Sequence, residues 1–431
     1  MQNFFQKEIE TASQDQLQEI QSKRLVEVVN HVYTNNALQK KRFDEAGVAP
    51  SDIKNVSDVA KLPMLDKEIF RTSFPLGLSC VPQNELAEMH MSSGSTGTPV
   101  VMPYTEADLQ QWSECMARCY YMAGAQKGDP IQITPTFGLF NGGFGMYHGA
   151  RAGELFIIPT SSGNTKRQVN LAKSFNTKII TGVVSYGIRI MEVMEAMKEQ
   201  LPALKIGIFG AEVLSPSMKE KIEQGLGIEV FDIYGMTETG GVGTLGQDCS
   251  AHEGIHLWDD HYIAEIIDPS TGLILPDGKE GELVITSITR QALPVIRFKT
   301  GDVTKIISRD LCSCGRTHTR IAPATGRADD MMIVKGVNFF PRQVEEALMS
   351  IPGVGANYQI ILEEEDGVRD VRINVEAEEG VTGFTVVKAL KEALGFSPKG
   401  DVFALGELPR QAGKAKRVFK AGESDAILKK K

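Results

Sequence analysis

The N-terminal part of the chain carries two stretches in which apolar residues recur with the period of an α-helix. Residues 13–46 place their apolar side chains near one face among charged residues. Residues 105–123 begin with Thr105, a residue type that often caps a helix N-terminus. We therefore expect one helix over each range. The apolar positions of the first range are Leu17, Ile20, Leu25, Val28, Val29 and Val32.

Between residues 130 and 210, short apolar runs alternate with amphipathic segments. The runs "PIQITP", "ELFIIP", "TKIITGVV" and "LKIGIFG" have the length and composition of buried strands, whereas "KRQVNLAKSF" and "YGIRIMEVMEAMKEQ" have the helical period. An alternation of strands and helices is typical of a parallel α/β sheet. The sequence therefore predicts a large N-terminal α/β domain with parallel sheets.

Two further changes of pattern divide the rest of the chain. Residues 261–307 are rich in β-forming residues separated by turns such as "PSTG" and "PDGKEG", which predicts a small antiparallel β-subdomain. Beyond Arg327 the predicted order is β-α-β-β-α-β, which indicates a small ferredoxin-like α+β domain. We therefore predict an N-terminal domain over residues 1–327 and a C-terminal domain over residues 328–431.

Composition and charge exclude several classes of protein. The 431 residues are 42% hydrophobic and 23% charged, which is ordinary for a globular protein, and the formal net charge of -9 argues against a nucleic-acid binder. No apolar run reaches the ~18 residues that cross a bilayer, and the polar N-terminus does not resemble a secretory signal. Six cysteines are too few for a disulfide scaffold. We expect a cytoplasmic protein that binds neither nucleic acid nor membrane.

A hydroxyl-rich loop precedes the second predicted helix. The stretch "SSGSTGTP" supplies hydroxyls, two glycines that permit unusual backbone angles, and exposed N–H groups, and such a loop can cradle a phosphate. It is not a P-loop, because no lysine follows it. Composition alone leaves a linker as the alternative. Its members are Ser92, Ser93, Gly94, Ser95, Thr96, Gly97 and Thr98.

Four other stretches bring chemistry to the ends of predicted strands or to loops. The first, "YGMTETGG", follows the apolar run "EVFDI", and the strand that ends in "IGIFGAEVL" lies just upstream of it. Ligand sites of α/β folds lie at the carboxyl ends of strands. "RFKTGDVT" places Asp302 after a Thr-Gly turn, "GRADDMMIVKGVNFFP" crosses the predicted domain boundary, and "LPRQAGKAKRV" places Lys414 in a basic loop.

Together, these five stretches resemble the motifs of the adenylate-forming superfamily, and most closely those of its phenylacetate-CoA ligases. The similarity lies in the phosphate loop, the aromatic-Gly-x-Ser/Thr-Glu motif, the aspartate of "TGD", the hinge and the lysine loop, all in the family's order. Such an enzyme first joins a carboxylate to the AMP part of Mg²⁺-ATP, which releases pyrophosphate. The thiol of CoA then takes the acyl group from this acyl-adenylate and releases AMP. The resemblance implies an AMP-forming aryl-CoA ligase, and a homodimer is a further expectation.

The resemblance also implies a role for each matching residue. Thr237, Glu238 and Lys414 would be catalytic, with Glu238 also binding Mg²⁺ and Lys414 bridging carboxylate and α-phosphate. Tyr234 would pack on adenine, and Asp329 would be the hinge. The residues that would bind the nucleotide are Ser92, Ser93, Gly94, Ser95, Thr96, Gly97, Ala211, Glu212, Asp232, Tyr234, Gly235, Met236, Asp302 and Arg327.

Each of these residues also has an ordinary structural interpretation. Tyr234 could belong to the core, Asp302 to a turn, and Lys414 to the solvated surface. "GVGTLG" at residues 241–246 matches a dinucleotide-binding fingerprint in letters, but it runs into "QDCSAHEG" and opens no helix. The loop has Val100 where many adenylating enzymes have lysine, and "TGD" stands where many phenylacetate-type ligases have "TRD".

An acyl pocket is predicted from "TPTFGLFNGGFGMYHGA", residues 134–150, which is rich in aromatics and glycines and resembles the segment lining the aryl pocket of phenylacetate ligases. Core packing explains any single phenylalanine equally well. The candidate acyl-pocket residues are Phe137, Phe140, Gly142, Ser185 and Tyr186.

Two alternatives to CoA ligation stay open, namely loading of a carrier protein and nucleotide binding without catalysis.

A group of cysteines and histidines suggests a structural metal site. "CSCG" pairs two thiols, and three of the seven histidines lie downstream of Cys249 within a span of ten residues, 252–261. Such sets suit tetrahedral zinc, with reduced, unliganded cysteines as the alternative. Spacing favours His252 and the resemblance favours His256, while His318 lies near the thiol pair. The predicted zinc ligands are Cys249, His256, Cys312 and Cys314.

Overall fold

The N-terminal helices pack in a hydrophobic cluster with Ile263, Ile288 and Ile296 of the antiparallel subdomain. The computed structural model describes residues 3–92, 98–212, 214–327, 332–334, 337–365, 368–410, 415–423 and 426–427. The helix predicted over residues 13–46 is two helices, because the Asn36 side chain accepts from Gln39 N and donates to the carbonyls of Gly77 and Ser79. The first helices are α1 Lys7–Glu10, α2 Gln14–Asn35, α3 Ala37–Glu45 and α4 Lys67–Thr72.

The central part of the chain follows the predicted alternation of strands and helices. The helix after Thr105 spans Glu106–Met122, and the Thr105 side chain accepts from Asp108 N. The elements in order are β1 Glu88–Met91, β2 Val101–Tyr104, α5 Glu106–Met122, β3 Pro130–Ile133, α6 Asn141–Ala152, β4 Phe156–Ile158, α7 Thr165–Ser174, β5 Ile179–Val183, α8 Val184–Ala196, β6 Ile206–Gly210, α9 Pro216–Leu226 and β7 Glu229–Tyr234.

The remaining elements build the smaller sheets and extend the large one. They are β8 Gly246–Asp248, β9 Ile255–Leu257, β10 Tyr262–Ile267, β11 Gly281–Ser287, β12 Phe298–Thr304, β13 Ile306–Ser308, β14 Arg320–Ile321, β15 Gly326–Arg327, β16 Met332–Val334, β17 Val337–Phe339, α10 Pro341–Met349, β18 Val354–Glu365, β19 Val368–Ala377, α11 Gly383–Leu394, β20 Lys399–Ala404 and β21 Val418–Lys420.

The largest sheet has nine strands in the order β13-β14-β9-β8-β7-β6-β5-β3-β4. Strands β3 to β7 pair in parallel, as the alternating pattern predicts, and β8, β9, β14 and β13 extend them antiparallel. The antiparallel subdomain is the sheet β10-β11-β12-β15. The run "VTKIIS", expected in that subdomain, divides instead, because Ile306 pairs with Ile321 of the nine-stranded sheet.

The C-terminal unit has a four-stranded sheet in the order β20-β19-β18-β21, with α10 and α11 packed on its core. The first strand of the predicted β-α-β-β-α-β order lies outside this sheet, because Met332 pairs with Phe339 in the separate hairpin β16-β17. The position beside β18 belongs to β21, which runs parallel to it. Across the described ranges, none of the helices is both long and apolar enough to cross a membrane.

The C-terminal unit lies against the carboxyl end of the parallel strands. Ser215 N, at the start of α9, donates to Glu345 Oε1 of α10 at 3.3 Å. Arg410 Nη2 donates to Glu192 Oε1 of α8 at 3.2 Å. This packing closes one side of the cavity that contains the predicted nucleotide-binding residues.

Candidate active site

A cavity of about 510 Å³ lies where β6 and β7 end. It brings together eleven residues that the sequence places far apart, and residues of the C-terminal unit, among them Arg342, Tyr358 and Ala415, complete its lining. Ala415 directly follows the predicted catalytic lysine. The sequence-predicted residues at this cavity are Ser92, Ala211, Glu212, Asp232, Tyr234, Gly235, Met236, Thr237, Glu238, Asp302 and Arg327.

The backbone at the two strand ends makes close turns. Ala211 follows β6 with φ of 63°, a left-handed conformation that is uncommon for a residue other than glycine. Gly235 follows β7, and a Cβ there would come 2.3 Å from the carbonyl oxygen of Gly241, so no side chain fits. Thr237–Thr239 then form one 3-10 turn. These turns aim the next side chains into the cavity, where α/β folds bind ligands.

Tyr234 and Arg327 both hold Asp302. The Tyr234 hydroxyl donates to Asp302 Oδ2 at 2.6 Å, and Arg327 Nη1 lies 3.3 Å from Oδ1. The register of β12 with β15 places Asp302 opposite Arg327. Burial, followed by the charge of Asp302, raises the pKa of Tyr234, so this hydroxyl stays protonated and donates. The tyrosine therefore orients the aspartate as well as lining the cavity.

Glu238 has a cationic partner that the sequence did not reveal. The carboxylate is buried, and Lys67 Nζ lies 3.0 Å from its Oε1. The neighbouring Thr237 Oγ1 accepts from Asn141 Nδ2 at 2.9 Å. Asp66 caps α4 by accepting from Ile69 N, so the sequence carries the signal of a helix start at Lys67. That local signal says nothing about which distant carboxylate the lysine meets.

Asp232 is a half-buried acid at the cavity wall. Burial, followed by the charge of Asp248, raises the pKa of Asp232 to about 8. Its backbone N–H donates to Asp248 Oδ1 at 2.8 Å. The shift favours the protonated carboxyl, the form that can donate a hydrogen bond.

Several predicted residues lie outside the described ranges, namely Ser93–Gly97 of the phosphate loop, the hinge residue Asp329 and Lys414. The ends of the phosphate loop are described. Ser92 N donates to the Val100 carbonyl and Val100 N donates to Ser92 Oγ, both at 2.9 Å. This pairing continues the β1-β2 hairpin and brings the start of the loop to the cavity.

The predicted acyl-pocket residues do not lie together at that cavity. Phe137 packs edge-on against Phe144 with ring centroids 5.4 Å apart, whereas Phe140 precedes α6 and is 54% exposed. A Cβ on Gly142 would come 3.3 Å from Pro135. Tyr186 lines a second cavity of about 270 Å³. Among the described residues of this aromatic segment, Asn141 is the one that lines the larger cavity.

The four predicted zinc ligands lie together. The ligand atoms of Cys249, His256, Cys312 and Cys314 are all within 4.8 Å of one another. Cys249 Sγ lies 3.8 Å from Cys312 Sγ, and Cys314 Sγ lies 3.5 Å from His256 Nε2. The cluster joins the β8-β9 hairpin, which contains Cys249 and His256, to the segment before β14, which contains Cys312 and Cys314. Strands β9 and β14 also pair directly, with His256 opposite Arg320.

The two alternative histidines have other partners. His252 Nδ1 lies 2.7 Å from Asp248 Oδ2, and this contact, then that with Glu229, raises its pKa to about 9. His318 Nδ1 accepts from Asp259 N at 2.9 Å, so its other nitrogen can donate to the Ile9 carbonyl. Both histidines are therefore held by oxygen or backbone partners.

A cavity at the ends of parallel strands, covered by a smaller α+β unit, fits the adenylate-forming class of enzymes that the sequence motifs resemble. The family model "AMP-binding enzyme" matches residues 4–289, and "AMP-binding enzyme C-terminal domain" matches residues 336–421. The chain belongs to the AMP-binding enzyme family. This confirms the resemblance and the α/β fold class that the sequence predicts.

Individual relatives narrow the class. The chain is 36% identical to a phenylacetate-coenzyme A ligase of Thermus thermophilus, over 96% of this chain and 99% of the relative. It is 39% identical to the enzyme of the same name from Aromatoleum evansii, over 95% and 96%. The chain is therefore an AMP-forming acyl-CoA ligase.

One solved relative has been captured in two states. The chain resembles 2-hydroxyisobutyryl-CoA ligase in the postadenylation state with 2-HIB-AMP at a TM-score of 0.90 and 26% identity, covering 96% of this chain and 92% of that one. Against the same enzyme with 2-HIB-AMP and CoA in the thioesterification state, the TM-score is 0.71, with coverage of 97% and 92%. The described arrangement of the two units is thus closer to the first state.

Proposed function

We propose that this ligase activates an aryl or arylacetic acid of the phenylacetate type. One contact carries the proposal, the hydrogen bond from Asn141 Nδ2 to Thr237 Oγ1. It ties the segment that holds Phe137, Phe144 and Tyr147 to the predicted catalytic turn. An apolar acid bound among these rings would have its carboxylate directed towards the nucleotide cavity, and two relatives are named for phenylacetate.

The residues at the cavity fit the chemistry of adenylation. The acid's carboxylate attacks the α-phosphorus of ATP, and pyrophosphate leaves. Negative charge must be met by fixed donors and cations, since preorganised charge stabilises such a transition state. We assign Thr237 to the α-phosphate, Tyr234 to the adenine, and Asp302 with Arg327 to the ribose. Lys414 would bridge carboxylate and α-phosphate.

Glu238 is the proposed magnesium ligand. Its carboxylate oxygens are the hard ligands that Mg²⁺ prefers, and its position beside Thr237 at the cavity suits a phosphate-bound cation. Mg²⁺, when bound, supplies charge neutralisation at the phosphates. Lys67 Nζ lies 3.0 Å from Oε1 of the same carboxylate. The residues present therefore fit the cation.

We also propose that the reaction alternates between two arrangements of the domains. The N-terminal domain, residues 1–327, and the mobile C-terminal domain, residues 328–431, would turn about Asp329, and the turn would withdraw Lys414 and admit CoA. The difference between TM-scores of 0.90 and 0.71 for two states of one relative supports this proposal.

A structural zinc ion is the proposed occupant of the Cys/His cluster. Zinc bound tetrahedrally at ~2.3 Å from sulfur and ~2.05 Å from nitrogen requires S–S separations of about 3.8 Å and S–N separations of about 3.5 Å. The separations of Cys249 from Cys312 and of Cys314 from His256 are 3.8 and 3.5 Å. The ion would fasten the β8-β9 hairpin to the chain before β14.

Pyrophosphate release tests the proposed function. The purified enzyme is given ATP and Mg²⁺ with phenylacetate, benzoate, a straight-chain acid of similar size or no acid, each with and without CoA. Phenylacetate or benzoate should give the fastest release, and CoA should yield the thioester. Release without thioester, with acyl transfer to a carrier protein's thiol, would support the carrier-loading alternative. A preference for the straight-chain acid would overturn the aryl assignment. A cytoplasmic location and a homodimer stay predictions.

A further inference from the structure

The carboxylate of Glu212 joins three parts of the molecule. Glu212 Oε2 accepts from Ser185 N at 2.6 Å, and Oε1 accepts from Ser185 Oγ at 2.9 Å. Oε1 also accepts from Ala415 N at 2.5 Å. Glu212 follows β6, Ser185 lies in the first turn of α8, and Ala415 belongs to the C-terminal unit. One side chain thus connects the strand end, a helix start and the chain next to Lys414.

The N-terminal half of this arrangement is built locally. Val183, before α8, has no side chain that caps the helix, and the N–H of Ser185 in the first turn donates to Glu212. A carboxylate at a helix N-terminus is favourable because the peptide dipoles leave that end positive. The left-handed backbone of Ala211, φ 63°, turns the chain after β6 where Glu212 serves as this acceptor. Strain of this kind persists where function or packing requires it.

The contact with Ala415 is different, because it crosses between the two units. A rotation of the C-terminal unit that carries Lys414 away would also remove Ala415 N from Glu212. The contact therefore belongs to the arrangement in which Ala415 lines the cavity. On the other side, Ser185 precedes Tyr186, a predicted acyl-pocket residue. Glu212 lines the larger cavity, and its partner Ser185 lines the second cavity together with Tyr186.

We propose that Glu212 is a positioning residue that holds the Lys414 loop for adenylation and couples it to the start of α8. This rests on the proposed function. Misplacement of a catalytic group by about 1 Å can cost on the order of 100-fold in rate, so losing this anchor should slow the adenylation step. Thioester formation, which uses the other arrangement, should be nearly unaffected.

The test measures the two half-reactions separately in the full-length enzyme. For Glu212→Ala, acid-dependent pyrophosphate release should fall about 10- to 100-fold in kcat with KM for ATP changed less than about 3-fold. Conversion of supplied acyl-adenylate and CoA into thioester should fall less than about 3-fold. Glu212→Gln keeps the shape and one acceptor oxygen, so it should give an intermediate loss and serves if the alanine variant does not fold.

Glu192→Ala is the matched control. Glu192 lies on the same helix α8 and contacts Arg410 of the same C-terminal unit, and Arg410 also keeps its contacts with Glu376. This variant should leave both half-reactions within about 2-fold. In a double-mutant cycle, Ser185→Ala should slow adenylation in the wild type and add nothing to Glu212→Ala, because the two side chains act through one contact.

Three results would overturn the proposal. A raised KM for ATP with unchanged kcat would make Glu212 only a nucleotide-binding residue. If Glu212→Ala slowed both half-reactions equally, or if Glu192→Ala slowed adenylation as much as Glu212→Ala does, the role of Glu212 would be only structural. An unchanged adenylation rate would remove the role altogether. Failure of the proposed function is distinguishable, because then the wild-type enzyme itself would release no pyrophosphate with any aryl acid.

Discussion

Lys67 Nζ of α4 lies 3.0 Å from Glu238 Oε1 in the turn after β7. The Glu238 side chain is 6% exposed, so its charge is largely removed from water and its ion pair matters more than a surface pair would. The phosphate loop itself supplies no lysine, since Val100 stands where many adenylating enzymes have one. The structure thus brings a cation to the nucleotide cavity from a different element.

Replacing Lys67 tests the contribution of its ion pair with Glu238 to stability. In Lys67→Met, the buried carboxylate loses its partner, and we expect the free energy of unfolding of the unliganded enzyme to fall by about 1–3 kcal/mol. Mg²⁺ with ATP should recover more stability in this variant than in the wild type, measured by thermal denaturation. Lys61→Met, which removes the pair of the exposed Lys61 with Asp58, should lower the free energy of unfolding by less than Lys67→Met does. If Mg²⁺ gives both enzymes equal protection, Glu238 is not its ligand.

Lys414 is expected to act in one half-reaction only. Lys414→Ala should lower acid-dependent pyrophosphate release by about 10²–10³-fold, since one fixed donor to a developing charge contributes that much. The variant should still convert supplied acyl-adenylate and CoA into thioester. Lys416→Ala is the control, because Lys416 is exposed and pairs with Glu423. Equal loss of both half-reactions in Lys414→Ala would contradict domain alternation.

The zinc proposal predicts a fixed metal content. Enzyme purified without added zinc should contain about one zinc ion per chain by elemental analysis, since a closed cluster of four ligands forms a structural site. Cys312→Ser should lose most of it and unfold at a lower temperature. Cys80→Ser changes a buried cysteine outside the cluster and should keep the metal. Substoichiometric zinc that Cys312→Ser leaves unchanged would argue against the site.

Asp232 should make stability depend on pH. Its pKa is about 8 in the folded protein, mainly through burial, against a usual value near 3.8. The folded state thus binds this proton more tightly than the unfolded chain, so the contribution to stability is lost as pH rises from about 4 to about 8. Between pH 5 and pH 8, the free energy of unfolding of Asp232→Asn, measured with urea, should rise by about 1–3 kcal/mol relative to that of the wild type. A pH-independent difference would contradict the shift.

Local patterns determined much of the fold. The apolar runs of residues 130–210 predicted the parallel strands, because a buried strand needs a short apolar segment wherever it lies in the sheet. They could not show that residues 13–46 form two helices, since the break depends on Asn36 reaching carbonyls of a later loop. Nor could they place Ile306 in the large sheet, because strand partners are chosen by long-range packing.

The candidate site divides in the same way. The sequence by itself determined the residue types and order of the motifs, from the hydroxyl loop through Asp302 to Lys414, because each turn chemistry is local. Only the tertiary structure placed Lys67 on Glu238, joined Tyr234 to Asp302, and brought the predicted His256 to the three thiols. These contacts join residues distant in sequence, and the free energy that selects them comes from burial and charge in the assembled fold.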